Sequence, residues 1–311
     1  MKSVQNFRKD KKCLKFGISR LVAEGWGLAL VKELLKRGER VAATSRDLEK
    51  FVQKVGGESE NFLPLELKFG ENLEANIEAN LAAVKRKFTR LDNLVNNAGY
   101  GLLGFVEETS LSELRRQFET NVFAPYLIVQ KALKIMRPQA VKEGGKVGEI
   151  RARIFNLSSI GGFHVSGSST PYCMSKFAVS ALSEGLALDL EPFGVAVINV
   201  MPAGFRTEFA GASASLSGGR IECYDERRKA FEEGVRNYNG KQAGDPQRFG
   251  EVMYKISRMP KPPFSLFMGD AAFRSAQNKL EAVKADMDAT RKFVGAAMDF
   301  ADSAGSAFDK R

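Results

Sequence analysis

Strand-like and helix-like segments alternate along most of this chain, and that alternation limits the folds open to it more than any other feature. Strand patterns such as "RVAAT" (40–44) and "VAVINVM" (195–201) are separated by helical patterns, of which residues 73–88 are the clearest. Alternation of this kind predicts an α/β fold, with helices on both faces of a parallel sheet. Because crossover connections are right-handed, we expect the sheet to be doubly wound.

The same patterns divide the chain into elements and regions. Strands are predicted at 13–17, 40–44, 62–67, 91–99 (running into a turn), 152–158, 195–201 and 264–269. Helices are predicted at 27–38, 73–88, 111–136, 171–190 and 271–300, with one more opened by Asp245-Pro246. We expect residues 1–311 to form a single domain, with a core at 12–204, a Ser- and Gly-rich lid at 205–244, and a C-terminal extension of helices and an edge strand at 245–311.

Composition argues against several classes of function. The chain has one histidine, His164, and three widely separated cysteines, so neither a metal site nor a disulfide framework is expected. Free thiols suit a reducing compartment. The sequence contains no run of 18 apolar residues, so no transmembrane segment is predicted, and we expect a cytoplasmic protein. The net charge is +10, but no aromatic-basic recognition pattern accompanies it, and nucleic acid is not an expected partner.

The sharpest chemical signal is the segment Tyr172-Cys-Met-Ser-Lys176. Residues four apart lie on the same face of a helix, so the phenol and the ammonium are expected to be neighbours. A nearby positive charge favours the phenolate, and we expect it to lower the pKa of Tyr172 toward neutral pH. Tyr172 is therefore a candidate general acid and base.

Further polar residues follow three of the predicted strands, where the ligands of a doubly wound sheet bind. Ser159 stands at the end of one strand, Asn97-Ala98-Gly99 end another, and Pro202-Ala203-Gly204 with Thr207 end a third. Asn121 lies in the long predicted helix between the first two of these strands.

As a set, these motifs resemble those of the short-chain dehydrogenase/reductase family. The matching features are "NNAG" (96–99), Asn121, the serine of "NLSS" (156–159), YxxxK (172–176) and "PAGFRT" (202–207), in family order over residues 13 to about 210. The resemblance implies a Rossmann-like fold in which the core at 12–204 binds a dinucleotide and carries the catalytic residues. "NNAGYGLLG" and "SSIGGF" further resemble retinol- and hydroxysteroid-dehydrogenase-like members.

The resemblance also implies a role for each residue. Tyr172 would exchange a proton with the alcohol or carbonyl oxygen, Ser159 would orient the substrate, and Asn121 would anchor a water in the proton relay. Lys176 would hold the nicotinamide ribose. The residues implied around the cofactor are Asn97, Ala98, Gly99, Tyr172, Lys176, Pro202, Gly204 and Thr207.

Apolar residues in the lid predict an apolar small-molecule substrate; they are Phe205, Phe209, Leu216 and Tyr224. The alternative is that these side chains pack within the lid itself. His164 either contacts substrate or is a solvated loop residue. Because family members commonly pair through the helices predicted at 111–136 and 171–190, a homo-oligomer is expected.

The glycine-rich stretch "GISRLVAEGWG" (17–27) admits two alignments with the TGxxxGxG loop of the family, whose N–H groups receive the pyrophosphate. Counting back from Gly25 and Gly27 places Leu21 at the first glycine. Counting forward from the strand places Gly17 there, with Ser19 and Arg20 in the loop and four extra residues before Gly25. We prefer the second alignment, in which the longer loop weakens phosphate binding without abolishing it.

The segment "TSRD" (44–47) predicts the cofactor. No acidic residue stands at the strand end to bind a ribose 2′-OH, and Arg46 favours a 2′-phosphate, hence NADP(H). The alternative is that Arg46 is a solvated turn residue. Lys68 stands where the family usually has an aspartate that binds adenine, which makes the adenosine half irregular.

Two functional hypotheses follow. The first is an NADP(H)-dependent oxidoreductase that interconverts a secondary alcohol and a ketone or aldehyde by hydride transfer. The second is a catalytically impaired dinucleotide-binding or scaffolding protein with a degenerate phosphate loop.

Overall fold

The chain was analysed as a computed structural model, which describes residues 15–19, 25–70, 72–207, 211, 213–295 and 298. Its main sheet has seven parallel strands in the order β3-β2-β1-β4-β6-β7-β9. These strands are Lys15–Ser19 (β1), Arg40–Ser45 (β2), Phe62–Glu66 (β3), Asn93–Asn96 (β4), Ala152–Leu157 (β6), Val195–Pro202 (β7) and Ser265–Met268 (β9). Gly101–Leu103 (β5) and Ala214–Leu216 (β8) pair separately, also in parallel.

Helices cover both faces of this sheet. They are Gly25–Lys36 (α1), Leu48–Val55 (α2), Leu73–Phe88 (α3), Leu111–Phe118 (α4), Ala124–Lys142 (α5), Thr170–Leu190 (α6), Asp225–Tyr238 (α7), Pro246–Ser257 (α8) and Asp270–Val294 (α9). One buried cluster joins α1 and α8 to the strands, and a second joins α3 and α5 to the opposite face. The predicted doubly wound, Rossmann-like fold with a C-terminal helical extension is therefore confirmed. In the described ranges no helix is both long and apolar enough to cross a bilayer.

The strand order reverses between β1 and β4, because the chain first builds outward through β2 and β3 and then crosses to the other side of β1. A crevice forms at such a reversal, beyond the carboxyl ends of the strands, and ligands of doubly wound sheets bind there. The segments that follow β1, β4, β6 and β7 therefore surround one site.

The first strand ends two residues later than predicted. β1 continues to Ser19, which pairs with Asn96, while Gly17 lies within the ladder between Ala42 and Leu94. Gly17 therefore does not open the phosphate loop, which corrects the preferred alignment: the parallel ladders on both sides hold the chain extended through Ser19. Arg20 and residues 21–24 lie outside the described residues.

The region predicted as one helix at 111–136 is two helices joined by a wider π turn at Glu119–Phe123. A capping box opens the first of them, because the Ser110 and Glu113 side chains each accept from the backbone N–H of the other. α5 also runs beyond the predicted end, to Lys142.

The described part of the lid is anchored to the segment that follows β5. The Glu108 carboxylate is buried, contacts the Arg228 guanidinium of α7, and accepts a hydrogen bond from the N–H of Ile221 at 2.8 Å. The Tyr224 ring stacks on Phe105, with ring centroids 4.4 Å apart. Tyr224 therefore packs against the body of the domain rather than lining a substrate pocket.

Candidate active site

A cavity of about 530 Å³ opens at the carboxyl ends of the central strands. Residues from the motifs singled out in the sequence line it: Asn97, Gly99, Ser159, Tyr172, Lys176, Pro202, Gly204 and Thr207. Gly25 and Trp26, at the start of α1, line it as well. The fold thus brings together, at one site, residues as far apart in the chain as Gly25 and Ser275.

Lys176 lies at the bottom of this cavity. Its side chain is buried, and its Nζ donates a hydrogen bond to the carbonyl oxygen of Leu157, the last residue of β6, at 2.7 Å. The Nζ is 5.8 Å from the centroid of the Tyr172 ring, as expected for residues one helical turn apart. Burial disfavours the ammonium form and lowers the pKa of Lys176 to about 8.

Tyr172 lies beside Ser159 on the cavity wall. Burial raises the pKa of the Tyr172 phenol above its ordinary value, and a side-chain hydrogen bond with Ser159 opposes that rise. The Ser159 Oγ also accepts from the N–H of Gly161 at 3.0 Å, which fixes the serine rotamer. The expected lowering of the Tyr172 pKa is therefore wrong in this structure, because desolvation by burial outweighs the hydrogen bond with Ser159. At neutral pH the phenol keeps its proton and can donate it.

Asn121 stands in the π turn between α4 and α5 and is almost fully buried. Its Oδ1 accepts from the N–H of Tyr100 at 3.1 Å, and its Nδ2 donates to the carbonyl oxygen of Tyr100 and to the Ser175 Oγ, each at 3.0 Å. Ser175 in turn donates to the carbonyl oxygen of Tyr172 at 2.6 Å. The Asn121 side chain therefore joins the segment after β4 to the first turns of α6.

Gly99 occupies a position where a side chain would be crowded by two polar groups. A Cβ built there would lie 3.2 Å from the Asn121 Oδ1 and 3.3 Å from the Lys176 Nζ. Asn97 precedes it on the cavity wall, and Ala98 is buried beneath. The glycine lets the backbone after β4 approach both polar side chains closely.

The opposite side of the cavity is formed by the start of α1. Gly25 has a positive φ of 76° and begins the helix, so the N–H groups of the first turn, which have no partner within the helix, lie at this side of the cavity. A Cβ at Gly25 would meet the Thr207 side chain at 3.5 Å, and the Gly27 that follows is buried. Trp26 packs against the core, stacked on Phe249 at a centroid distance of 5.3 Å.

The end of β2 carries no uncommitted carboxylate among the described residues. Ser45 is buried and bonds with the backbone of Asp47, whose carboxylate caps α2 by accepting from the N–H of Lys50. Arg46 is exposed beside them. Lys68, at the irregular adenine position, forms an ion pair with Glu66 at 2.7 Å.

Sequence reasoning missed several residues of this site. Gln242 lines the cavity and is 2% exposed, yet its Oε1 has no hydrogen-bond partner in the described part of the chain, and the same holds for the Trp26 Nε1. The Tyr238 hydroxyl packs directly on Gly204. Tyr238 ends α7 and Gln242 follows it, and this part of the lid shows no motif that could have revealed either residue.

The lid contributes apolar residues to the wall, but mostly not the predicted ones. Phe205 and His164 line the cavity, whereas Leu216 is partly exposed elsewhere and Phe209 lies outside the described residues. Phe231 and Val235 of the lid line the cavity, as do Leu103 and Ile160 from the body of the domain. Within the described ranges no group of three or more His, Cys, Asp or Glu side chains is placed to hold a metal ion.

Comparison with known proteins agrees with this geometry. The profile of the short chain dehydrogenase family matches residues 22–216. An uncharacterized oxidoreductase of Schizosaccharomyces pombe is 32% identical over 248 residues, which is 79% of each chain. A short-chain dehydrogenase from Streptomyces avermitilis superposes with a TM-score of 0.80 at 29% identity, over 92% of this chain and all of the other.

A short-chain dehydrogenase/reductase from Burkholderia phymatum, solved in complex with NAD, has the same fold, with a TM-score of 0.74 at 20% identity over 89% of this chain and 97% of that one. The chain therefore belongs to the short-chain dehydrogenase/reductase family and is an oxidoreductase of that family.

The close approach at Gly99 yields a prediction. We expect Gly99→Ala to reduce turnover at least about tenfold, because the new methyl group displaces the Asn121 amide or the Lys176 ammonium. Steady-state kinetics measure the loss, and circular dichroism checks that the fold is kept.

Gly185→Ala is the matched control, since it lies in the same helix as Tyr172 and a Cβ there meets nothing within 4 Å. This control should keep full activity and gain about 0.5–1 kcal/mol in the free energy of unfolding. Equal activity of the two variants would show that the space at Gly99 is not needed.

Proposed function

We propose that this protein is an NADP(H)-dependent oxidoreductase that interconverts a secondary alcohol and a ketone or aldehyde by hydride transfer, with Tyr172 as general acid and base. The observation that carries the proposal is the arrangement of Tyr172, Ser159 and Lys176 around one cavity. A proton donor, a second hydroxyl group and a cation surround the same space, which is what carbonyl reduction requires of a protein.

The residues around the cavity suit a dinucleotide. The start of α1 offers unpaired N–H groups to a pyrophosphate, and the absence of a side chain at Gly99 leaves room near the Lys176 Nζ. Pro202, Gly204 and Thr207 lie where the carboxamide end would be held. When bound, the nicotinamide supplies or accepts the hydride, and the protein supplies the proton and the orientation.

The chain's own groups have separate tasks in this proposal. Ser159 holds the reacting oxygen against Tyr172, whose raised pKa keeps the phenol protonated and ready to donate. Lys176 places a positive charge at the bottom of the site below about pH 8. Asn121 acts as a positioning residue, because its hydrogen bonds run to the backbone of Tyr100 and to Ser175.

The substrate that fits this cavity is largely apolar, with one additional hydrogen-bond donor. Leu103, Phe231 and Val235 provide the apolar wall. The buried Oε1 of Gln242 has no partner among the described residues, and an unpaired buried acceptor is costly, so a ligand N–H or O–H would satisfy it.

Location and assembly complete the proposal. Unpaired Cys173 and Cys223 are consistent with a reducing, cytoplasmic environment. α5 and α6 expose Tyr126, Met174 and Phe177, which supports pairing of two copies through these helices.

The catalytic role of Tyr172 is tested with Tyr172→Phe. We expect NADPH oxidation across a panel of apolar ketones and aldehydes to fall by at least about 100-fold, because the proton donor is lost, while the Kd for NADPH changes little. If the wild-type chain binds NADPH but turns over no carbonyl compound, the scaffolding alternative is correct.

The role of Arg46 is tested with Arg46→Ala. Loss of the charge-assisted contact to a 2′-phosphate is expected to raise the KM for NADPH by about 10–100-fold and to leave the KM for NADH unchanged. Arg151→Ala is the control, since Arg151 is also exposed but directly precedes β6 and so lies at the amino ends of the strands, away from the cavity. Equal effects on both cofactors would contradict the proposed NADP(H) preference.

A further inference from the structure

The last helix leaves the domain after its first two turns. Ala272 and Ala276 are buried, and the Phe273 ring contacts Phe267 of β9 at a centroid distance of 5.9 Å. From 277 to 294 every residue is exposed. This part of α9 is 18 residues long and extends about 27 Å.

The exposed part of α9 carries an apolar stripe. Leu280, Val283, Met287 and Val294 are 41–64% exposed and follow one another at intervals of three, four and seven residues. With the polar Thr290 filling the step between Met287 and Val294, these positions follow the alternating three- and four-residue spacing of a coiled-coil seam. An isolated helix of this length is marginally stable in water, so a partner that covers the stripe would stabilise it.

The charges of α9 indicate which partner fits. The helix has five basic and four acidic residues, so its polar face lacks the positive excess of a membrane-surface helix. Lys284 pairs with Asp288 within the helix, and Gln277 with Glu281. Lys279 and Asp286, which flank the stripe on one side, have no ion-pair partner in the described part of the chain.

We propose that the stripe on α9 is an interface with a second copy of this chain, with the two helices antiparallel around a two-fold axis. Leu280 of each copy then packs against Val283 of the partner subunit. Lys279 of each copy then faces Asp286 of the partner subunit, and the two-fold axis makes two such pairs per dimer. The Lys279 ammonium and the Asp286 carboxylate thereby form ion pairs across the interface.

Other arrangements of the two helices place like charges together. A shift by one heptad toward the carboxyl end brings Asp286 opposite Asp286 of the partner subunit, and a shift the other way brings Lys279 opposite Lys279 of the partner subunit. In a parallel pair, Lys279 faces Lys284 of the partner subunit. Among these arrangements, the charges favour the antiparallel pair in which Leu280 and Val283 of the two copies meet.

The apolar contact is tested by sedimentation equilibrium of the full chain. Leu280→Asp is expected to lower the assembly by one step, from dimer to monomer or, where α5 and α6 also pair, from tetramer to dimer. Ala285→Asp places the same charge on the opposite face of α9 and should leave the mass unchanged. Carbonyl reduction is not the readout, so failure of the proposed function leaves this test intact.

The charge pairing is tested by reversal. Lys279→Asp and Asp286→Lys should each raise the dissociation constant of the assembly about tenfold, and the double variant should restore it to within about threefold of the wild type. Equal masses for wild type and Leu280→Asp would overturn the proposal. A double variant as weak as the single ones, or a wild-type monomer that binds vesicles of phosphatidylcholine and phosphatidylserine, would also overturn it.

Discussion

One buried hydrogen bond sets the geometry of the active site. An ammonium taken out of water is costly unless it is paired, and the Lys176 Nζ meets that requirement through the carbonyl oxygen of Leu157 at 2.7 Å. The bond ties α6 to the end of β6. Tyr172 lies one helical turn before the lysine, and Ser159 lies two residues after Leu157, so both hydroxyl groups are positioned by the same contact.

Burial shifts the pKa values of the two titratable groups of the site in opposite directions. It raises the pKa of the Tyr172 phenol and lowers the pKa of Lys176 to about 8. At neutral pH the tyrosine is therefore a proton donor, and most of the lysine is still charged. In the proposed reaction, this combination suits donation of a proton from Tyr172 to a carbonyl oxygen.

The parts of the fold that follow local rules were predictable, and the parts set by distant contacts were not. Residues 73–88 form a helix with the predicted bounds, because their apolar spacing shows the buried face directly. The preferred alignment starts the phosphate loop at Gly17, but this residue lies within β1. The end of a short strand depends on its pairing with neighbouring strands, which its own sequence does not show. Gln242 lines the site because the lid folds back over the cavity, and no local pattern indicates this. The pKa of Tyr172 depends on burial, which the spacing of residues does not reveal.

The most direct measurement is a titration of NADPH followed by Trp26 fluorescence, since Trp26 lines the cavity beside the start of α1. Because burial lowers the pKa of Lys176 to about 8, its charge is present below that pH and lost above it. We expect the Kd for NADPH to rise about tenfold from pH 7 to pH 9 in the wild type, and Lys176→Met to bind weakly at both values. Unchanged Trp26 emission in millimolar NADPH, or the same pH dependence in both proteins, would contradict a dinucleotide held by this lysine.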